Sequence, residues 1–459
     1  MLFSSNVFLF GFLPAVLLFY YLVPRKWKNP VLLLFSLLFY GWGEPVYLFL
    51  MIGVIALNYG CGILIHRFRI RCPSKILAAG VAANLLILGF FKYAGFLSAQ
   101  LQILLPFLPQ WQAPQIPLPI GISFYTFQSM SYIIDVYRQE VAVQRNPLTF
   151  GTYVTLFPQL IAGPIVRYSD VALQMDHRKE SMEAFSSGIL LFVVGLSKKV
   201  LLANPMGNLW NLLREQPGTL AAWIGIAAYT FQIYFDFSGY SDMARGLGRM
   251  FGFEFLENFR YPYISRSVTE FWRRWHISLS TWFREYVYIP LGGNRRGLAR
   301  QILNLLIVWG LTGLWHGASW NFVLWGLYYA VLLILEKAFL LKRLQKAPAA
   351  LAHVYTIVLF MLGWALFYFE DMAALGTFLL RLFTPAASGS AGLTVIVAHL
   401  PLLLAAALGS TPLVSRIAAK YSRSRLAFPC LVLTLAVLLL LCTASLASQS
   451  YNPFIYFRF

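Results

Sequence analysis

Long apolar runs alternate with short polar segments along the whole chain. Most runs are about 15–22 residues long, enough for a helix to cross roughly 30 Å of hydrocarbon. A transmembrane β-barrel would instead show apolar and polar residues alternating along each strand. The pattern therefore predicts membrane helices over residues 7–23, 30–42, 46–65, 76–91, 185–203, 219–237, 318–341, 354–369, 392–408 and 427–447.

Other apolar segments are interrupted. Residues 95–120 contain five prolines, so part of this region is predicted to be a loop or a shallow segment. Residues 301–314 predict a helix too short to cross comfortably, and therefore a re-entrant or buried element. Residues 119–140 and 151–170 mix apolar residues with polar ones and prolines, and we expect them to line an interior, since lipid tolerates neither. The total is roughly eleven to thirteen membrane elements.

Composition agrees with this pattern. The chain is 59% hydrophobic, against about 45–50% in soluble domains. Its net charge of +19 lies in short clusters between apolar runs, as expected for cytoplasmic loops rather than a nucleic-acid surface. The clusters place the N-terminus and the final YNPFIYFRF outside, and the first span reads as uncleaved. The sequence predicts an all-α, multi-pass membrane protein.

Charged residues, glycines and histidines are densest between Gln232 and Trp320, so we expect the functional site there. Residues 260–300 contain eight Arg, two Glu and no Lys. If residues 267–284 form one helix, Glu270 shares a face with Arg273, Arg274 and Arg284. Two interpretations remain open: an interfacial helix resting on anionic headgroups, or a cytosol-facing anion site. For the second, the candidate donor-binding residues are Arg273, Arg274, Arg284, Asn294 and Arg295, the last two from the loop GGNRRG.

Two histidines lie in this block. His316, in GLWHGASW, is a candidate general base because a neutral imidazole can accept a proton from a hydroxyl. A histidine hydrogen-bonded in the protein core is the alternative. His276 lies forty residues earlier without carboxylate or Cys partners at ligand spacing, which argues against a metal site.

A third group of polar residues predicts a kink in the span around YFDFSGYSD. It would line a wet tunnel or form a structural hydrogen-bond network, and the sequence favours neither. The candidate tunnel-lining residues are Asp236, Ser238, Tyr240, Trp315 and Asn321.

Three motifs together resemble the membrane-bound O-acyltransferase family: QIYFDFSGYSDMARGLG, ENFRYPYISRSVTEFWRRWHISLSTWFREYVYIPLGGNRRG and GLWHGASWNFVLWG. FSSNVFLFGFLP, LPIGISFYTFQSMSYIIDVYR, FPQLIAGPIVRY and YNPFIYFRF extend the resemblance over essentially the whole chain. It is closest to the bacterial branch that acts in alginate acetylation and lipoteichoic acid D-alanylation.

The resemblance implies a ring of helices around a central tunnel that is thin at its middle. It also implies that His316 is the catalytic histidine and His276 the second histidine of the branch, which orients the donor or stabilises charge on its carbonyl. The donor would be cytosolic acetyl-CoA or an acyl-carrier thioester, with no bound cofactor. The acyl group would pass to an extracytoplasmic, serine hydrolase-like transferase that modifies a polysaccharide, and the chain would lie in the bacterial inner membrane.

We therefore expect one acyltransferase domain over residues 1–459, with its core near residues 117–330. A transporter or channel for a small solute or anion is the alternative from another class. Transporters often contain paired, similarly broken segments in two halves, and the sequence shows no such duplication. A polyprenyl-phosphate sugar transferase would need an acidic pair on an outer loop near the N-terminus, where Glu44 stands alone.

Overall fold

The computed structural model describes residues 1–107, 111–161, 163–422, 424–448 and 454–455. Within these ranges the secondary structure is helical and contains no strand, which confirms the all-α class. Pro109, Arg423 and most of the final YNPFIYFRF lie outside the described residues, so their predicted positions stay predictions.

The α-helices are numbered in chain order. Helices α1 to α11 are Leu13–Leu22, Arg25–Gly41, Tyr47–Arg67, Pro73–Leu104, Ile122–Arg138, Pro147–Thr155, Phe157–Leu160, Tyr168–His177, Met182–Ser197, Asn204–Leu213 and Thr219–Met250. Helices α12 to α22 are Val268–Trp272, Ile277–Phe283, Gly297–His316, Trp320–Leu335, Leu341–Lys346, Ala349–Tyr368, Met372–Phe383, Ser390–Ala398, Leu400–Gly409, Leu413–Tyr421 and Ala427–Ser448. Short π-helical segments cover Phe8–Phe12, Lys198–Ala203, Arg284–Tyr288 and Glu336–Leu340, and a 3₁₀ turn covers Pro262–Ile264.

Seven helical segments of the described chain are long and apolar enough to cross a membrane: Tyr47–Arg67, Pro73–Leu104, Met182–Leu213, Gly297–His316, Trp320–Lys346, Ala349–Tyr368 and Ala427–Ser448. The pair α19 and α20, bent by 51°, makes an eighth if it is one span. Phe8–Leu22 is apolar but shorter, and α11 is 32 residues long without being among the seven. The chain is thus a multi-pass membrane protein. The predicted total of eleven to thirteen membrane elements also counts short and polar helices, which the criterion of length and hydropathy does not test. That total stays a prediction.

Helix α14 corrects one expectation. It runs over 20 residues from Gly297 to His316, so the prediction of a short element at 301–314 was wrong. Its polar first turns are helical because loop carbonyls bind their side chains: Arg300 Nε donates to Leu291 O at 3.1 Å, and Asn304 Nδ2 donates to Gly293 O at 2.9 Å. Helix α4 likewise continues to Leu104, into the proline-containing region that looked ambiguous.

The chain divides into two compact units. The first comprises Met1–Phe192 with Ser241–Leu256, and the second Val193–Tyr240 with Glu257–Phe459. In the first unit, 14 of the 17 residues of α5 are buried, including Gln128 and Asp135. This burial confirms, for residues 122–136 of the predicted segment 119–140, that they face the protein interior. The single domain over residues 1–459 stays a prediction.

In the second unit, α14 and α15 pack at unusually short distance. A Cβ added at Gly313 would collide with the carbonyl oxygen of Phe322, and one at Gly326 would collide with that of Trp309. Small residues at helix crossings allow this close approach between membrane helices. The contact holds the end of α14, and with it His316, against α15.

Candidate active site

His316 is the last residue of α14 and its side chain is buried, at 5% exposure. Aromatic rings surround its imidazole edge-on: the centroids of Trp315 and Trp325 lie 4.9 Å away and that of Phe367 lies 5.3 Å away. Helices α14, α15 and α17 supply these rings. The aromatic cage restricts the directions from which a substrate could reach the imidazole.

His276 lies in a turn, not in a helix. The single helix predicted over residues 267–284 was wrong, because the chain forms α12, turns at residues 273–276, and resumes as α13. The main chain here bonds to a distant segment instead of continuing the helix: Ile277 N donates to Asn258 O at 3.0 Å, and Arg260 N donates to Arg274 O at 2.9 Å. His276 has φ +44° and ψ +55°, a left-handed conformation that is uncommon outside glycine.

The His276 ring is 1% exposed and lies among defined partners. Its Nδ1 is 3.2 Å from Asn258 Oδ1, and its centroid is 4.7 Å from Phe237 and 6.1 Å from Trp315. Burial lowers the pKa of His276 to about 3, because the charged imidazolium loses hydration there. The ring is therefore neutral at physiological pH.

A cavity of about 240 Å³ brings the two histidines together. Residues of α12, α13, α14 and α15, with the turns beside them, line it. Its lining includes His276, His316 and three cations, Arg273, Arg284 and Lys337, and no carboxylate. Trp272, Trp275 and Trp309 supply much of its apolar surface. The cavity thus combines buried imidazoles with a positively charged rim.

The three cations differ in their surroundings. Arg284 Nη2 lies 2.8 Å from Glu285 Oε1, so its charge is partly neutralised. Arg273 and Lys337 are exposed and form no ion pair with any residue that the structure describes. These two charges are available to an anionic ligand.

Lys337 lies near the end of the span predicted at 318–341 and was not among the donor-binding residues that the sequence predicted. The neighbouring Glu336 explains its position. Buried at 1% exposure, Glu336 accepts hydrogen bonds from the backbone N–H groups of Val268 and Thr269, both at 2.7 Å. These bonds fix the start of α12 to the end of α15, about seventy positions later in sequence, and so bring Lys337 to the same cavity as Arg273.

The other predicted donor-binding residues lie elsewhere. Arg274 Nη2 pairs with Glu270 Oε1 at 2.9 Å, as the helical spacing predicted, and Arg274 does not line the cavity. Asn294 and Arg295 are exposed in the GGNRRG loop, also away from the lining. Gly292 and Gly293 have φ of +103° and +56°, values that favour glycine. The backbone conformation of the loop is therefore enough to account for glycine at these two positions. A donor-binding role for these three polar residues stays a prediction.

The candidate tunnel-lining residues are buried within the second unit. Asp236 Oδ1 lies 2.5 Å from Lys199 Nζ, and Asp236 Oδ2 accepts from Ile455 N at 2.8 Å. Asp236, Ser238 and Tyr240 belong to α11, which is helical without a break from Thr219 to Met250, and the predicted kink stays a prediction. The carboxylate is accommodated there by its ion pair with Lys199.

The other two tunnel candidates flank His316 in sequence. Trp315 has its ring near both histidines, and Asn321 Nδ2 donates to Phe367 O at 3.1 Å. None of the five candidates lines the 240 Å³ cavity, and the tunnel itself stays a prediction.

Comparison with known proteins now decides the family. The model of the membrane-bound O-acyltransferase family matches residues 136–370, which include both histidines and every residue lining the cavity. The chain belongs to this family. Its members transfer acyl groups, so the chain is an acyltransferase, and nothing in its relatives supports the transporter alternative.

Three relatives of this acyltransferase are informative. A protein of Azotobacter vinelandii named "Probable alginate O-acetylase AlgI" is 45% identical over 81% of this chain and 76% of its own length. A protein of the same name from Pseudomonas putida is 40% identical over 100% of both chains. The "Peptidoglycan O-acetyltransferase" of Helicobacter pylori is 34% identical over 81% of this chain and 78% of its own.

The described residues were also searched for side chains that could bind a metal ion together. No group of three or more His, Cys, Asp or Glu side chains there is arranged to hold a metal ion. The cavity itself offers two imidazoles for acid–base catalysis, next to cations that can hold an anionic substrate.

Proposed function

We propose that this acyltransferase moves an acetyl group from cytosolic acetyl-CoA towards the O-acetylation of an exported, alginate-like polysaccharide. The observation that carries the proposal is the cavity that joins His276 and His316 to Arg273 and Lys337. The names of the relatives support the acetyl group and the polysaccharide, and alginate is favoured because the relatives at 40–45% identity carry that name.

The donor is proposed to bind with its phosphates at the rim of the cavity. Coenzyme A is polyanionic, and Arg and Lys bind phosphate oxygens through charge-assisted hydrogen bonds. Arg273 and Lys337 supply charge that no carboxylate among the lining residues neutralises. A phosphopantetheine thioester on a carrier protein would bring one phosphate instead of three, so it would gain less from this rim. No bound cofactor is needed for the transfer.

His316 is proposed as the general base. Its imidazole accepts the proton of the acceptor hydroxyl while the hydroxyl oxygen attacks the thioester carbonyl. The tetrahedral intermediate then collapses, the carbon–sulfur bond breaks, and the imidazolium returns the proton to the departing thiolate. An ester and free coenzyme A result. The aromatic cage around His316 keeps bulk water from competing with the acceptor hydroxyl.

The acceptor side is proposed to face away from the cytosol. A coenzyme A thioester cannot cross the bilayer, whereas an exported polymer is modified outside, so the acyl group must traverse the protein. We propose the bacterial inner membrane as the location and an extracytoplasmic, serine hydrolase-like acetyltransferase as the partner that takes the acetyl group onward to the polymer.

Acetyl-CoA turnover by the purified protein in liposomes tests the proposal. Radiolabelled acetyl-CoA is supplied on one face and the proposed partner acetyltransferase with alginate oligosaccharides on the other. Release of coenzyme A thiol is measured together with acetyl ester on the oligosaccharides. In parallel, the acetyl content of the exported polymer is measured in cells whose chromosomal copy is deleted and complemented. We expect His316→Ala to lower both by at least about 100-fold, the usual size of a lost general base.

The matched control is His399→Gln, because His399 lies at the bend between α19 and α20 and does not line the cavity. It should retain wild-type turnover at equal protein level. Full activity in His316→Ala would remove His316 from the mechanism. Wild-type protein that turns over an acyl-carrier thioester but not acetyl-CoA would refute the proposed donor.

A further inference from the structure

Asn258 contacts the turn that carries His276 through both its main chain and its side chain. It is 1% exposed and lies in the segment between α11 and α12. Its Oδ1 lies 3.1 Å from Ser278 N, 3.0 Å from Ser278 Oγ and 3.2 Å from His276 Nδ1. Its main-chain oxygen accepts from Ile277 N at 3.0 Å. One buried residue, through its side-chain and main-chain oxygens, therefore holds three consecutive residues.

The partner at Ser278 N determines which way the amide points. A backbone N–H can only donate, so the amide atom 3.1 Å from it must be the oxygen. An amide oxygen can only accept, and so the Nδ1 of His276 must be the donor in the 3.2 Å contact. The other tautomer would place two lone pairs against each other at that distance.

The state of the second ring nitrogen follows. Neutral imidazole carries one proton, and if Nδ1 holds it, Nε2 presents a lone pair. We propose that Asn258 is a positioning residue that fixes His276 as the Nδ1–H tautomer, so that Nε2 accepts a hydrogen bond from an N–H or O–H of a substrate. His276 then cannot donate to the carbonyl oxygen of the thioester. The hydrogen bond from the substrate to Nε2 rests on the proposed function. The assignment of the Nδ1–H tautomer does not depend on it.

The burial of His276 supports this assignment. Because burial lowers its pKa to about 3, the ring remains neutral across the range in which the enzyme works, and the distinction between donor and acceptor nitrogen is preserved. The left-handed backbone at His276 adds a second constraint, because it sets the direction of the ring within the turn. Asn258 restrains that turn, so the test must separate a structural role from a role in tautomer choice.

Asn258→Asp is the decisive variant. Aspartate has nearly the same shape and keeps an acceptor oxygen for Ser278 and for His276 Nδ1, but it adds negative charge. A carboxylate beside an imidazole favours the imidazolium, and the expected rise in the pKa of His276 is about one to three units, from about 3 to about 4–6. Protonation converts Nε2 from an acceptor to a donor in that pH window.

The first measurement is ¹⁵N NMR of the full-length protein in lipid with labelled histidine. The chain has six histidines, and the signal of His276 is identified by its loss in His276→Asn, a substitution that left-handed backbone tolerates. We expect a protonated Nδ1 and a bare Nε2 in the wild type. A protonated Nε2 with a bare Nδ1 would overturn the proposal, whether or not the protein transfers acetyl groups.

The second measurement is the pH profile of acetyl transfer. Asn258→Asp should lose activity below about pH 6, in step with the titration of the His276 signal, and should recover wild-type activity at higher pH. Ser278→Ala is the matched control: it removes one hydrogen bond to Oδ1 without adding charge, and should keep the wild-type profile. A folded Asn258→Asp protein in which the His276 signal titrates but transfer does not change would refute the role of Nε2 in substrate binding.

Discussion

The ion pair between Lys199 and Asp236 offers a test of whether the polar residues in α11 line a wet tunnel or stabilise the structure. The side chains are 4% and 1% exposed, and the charged atoms are 2.5 Å apart. With an effective dielectric constant of about 20, their attraction is about 7 kcal/mol, most of it offset by the loss of hydration. Removing one partner leaves the other charge buried alone, which typically costs about 3–5 kcal/mol.

We therefore expect Asp236→Asn to lower the apparent Tm of the protein in detergent by on the order of 10 °C. The double variant Lys199→Met with Asp236→Leu should recover most of this loss, because no charge is then left without its partner. Activity per folded molecule should stay near wild type in the double variant, since neither residue lines the histidine cavity.

The matched control is an exposed pair in the same unit. Arg214 Nη2 and Glu215 Oε1 are 3.2 Å apart, with the Glu215 side chain 79% exposed, so Glu215→Gln should change stability by less than about 1 kcal/mol. The reasoning would be refuted if Asp236→Asn kept wild-type stability but lost acetyl transfer. That result would favour the tunnel-lining role predicted for Asp236 over a structural one.

Two further predictions concern the cavity. Replacing Arg273 and Lys337 together by Gln should raise the KM for acetyl-CoA roughly 30-fold at low salt with little change in kcat, because each exposed cation contributes about 1 kcal/mol to phosphate binding. Arg416→Gln removes an exposed arginine that neither lines the cavity nor is a donor-binding candidate, and it should leave KM unchanged. An equal rise there would place the donor elsewhere. Gly313→Ala should lower kcat about tenfold or more by forcing α14 away from the facing carbonyl of α15 and displacing His316. Wild-type kinetics in folded Gly313→Ala would show that this close packing does not position the histidine.

Local patterns predicted one contact of this region and singled out one histidine of the cavity. The Glu270–Arg274 pair follows from a helical spacing of four, and it is present even though the helix ends soon afterwards. His316 could be singled out because a histidine next to membrane-spanning residues is costly and needs a reason. The sequence did not separate the members of the predicted donor-binding group: Arg273 and Arg274 are adjacent, yet Arg273 lines the cavity whereas Arg274 pairs with Glu270. No spacing rule distinguishes them.

The sequence by itself determined that this chain is helical, crosses a membrane several times and is an acyltransferase of a known family. Those properties depend on the hydropathy of stretches of about twenty residues and on short motifs, and each can be read from neighbouring positions in the sequence. Only the tertiary structure decided the break at His276, the arrival of Lys337 beside Arg273 and the pairing of Asp236 with Lys199. Each results from a hydrogen bond or ion pair between residues 18 to 68 positions apart. Such contacts depend on where the helices pack, and no periodicity in the sequence encodes them.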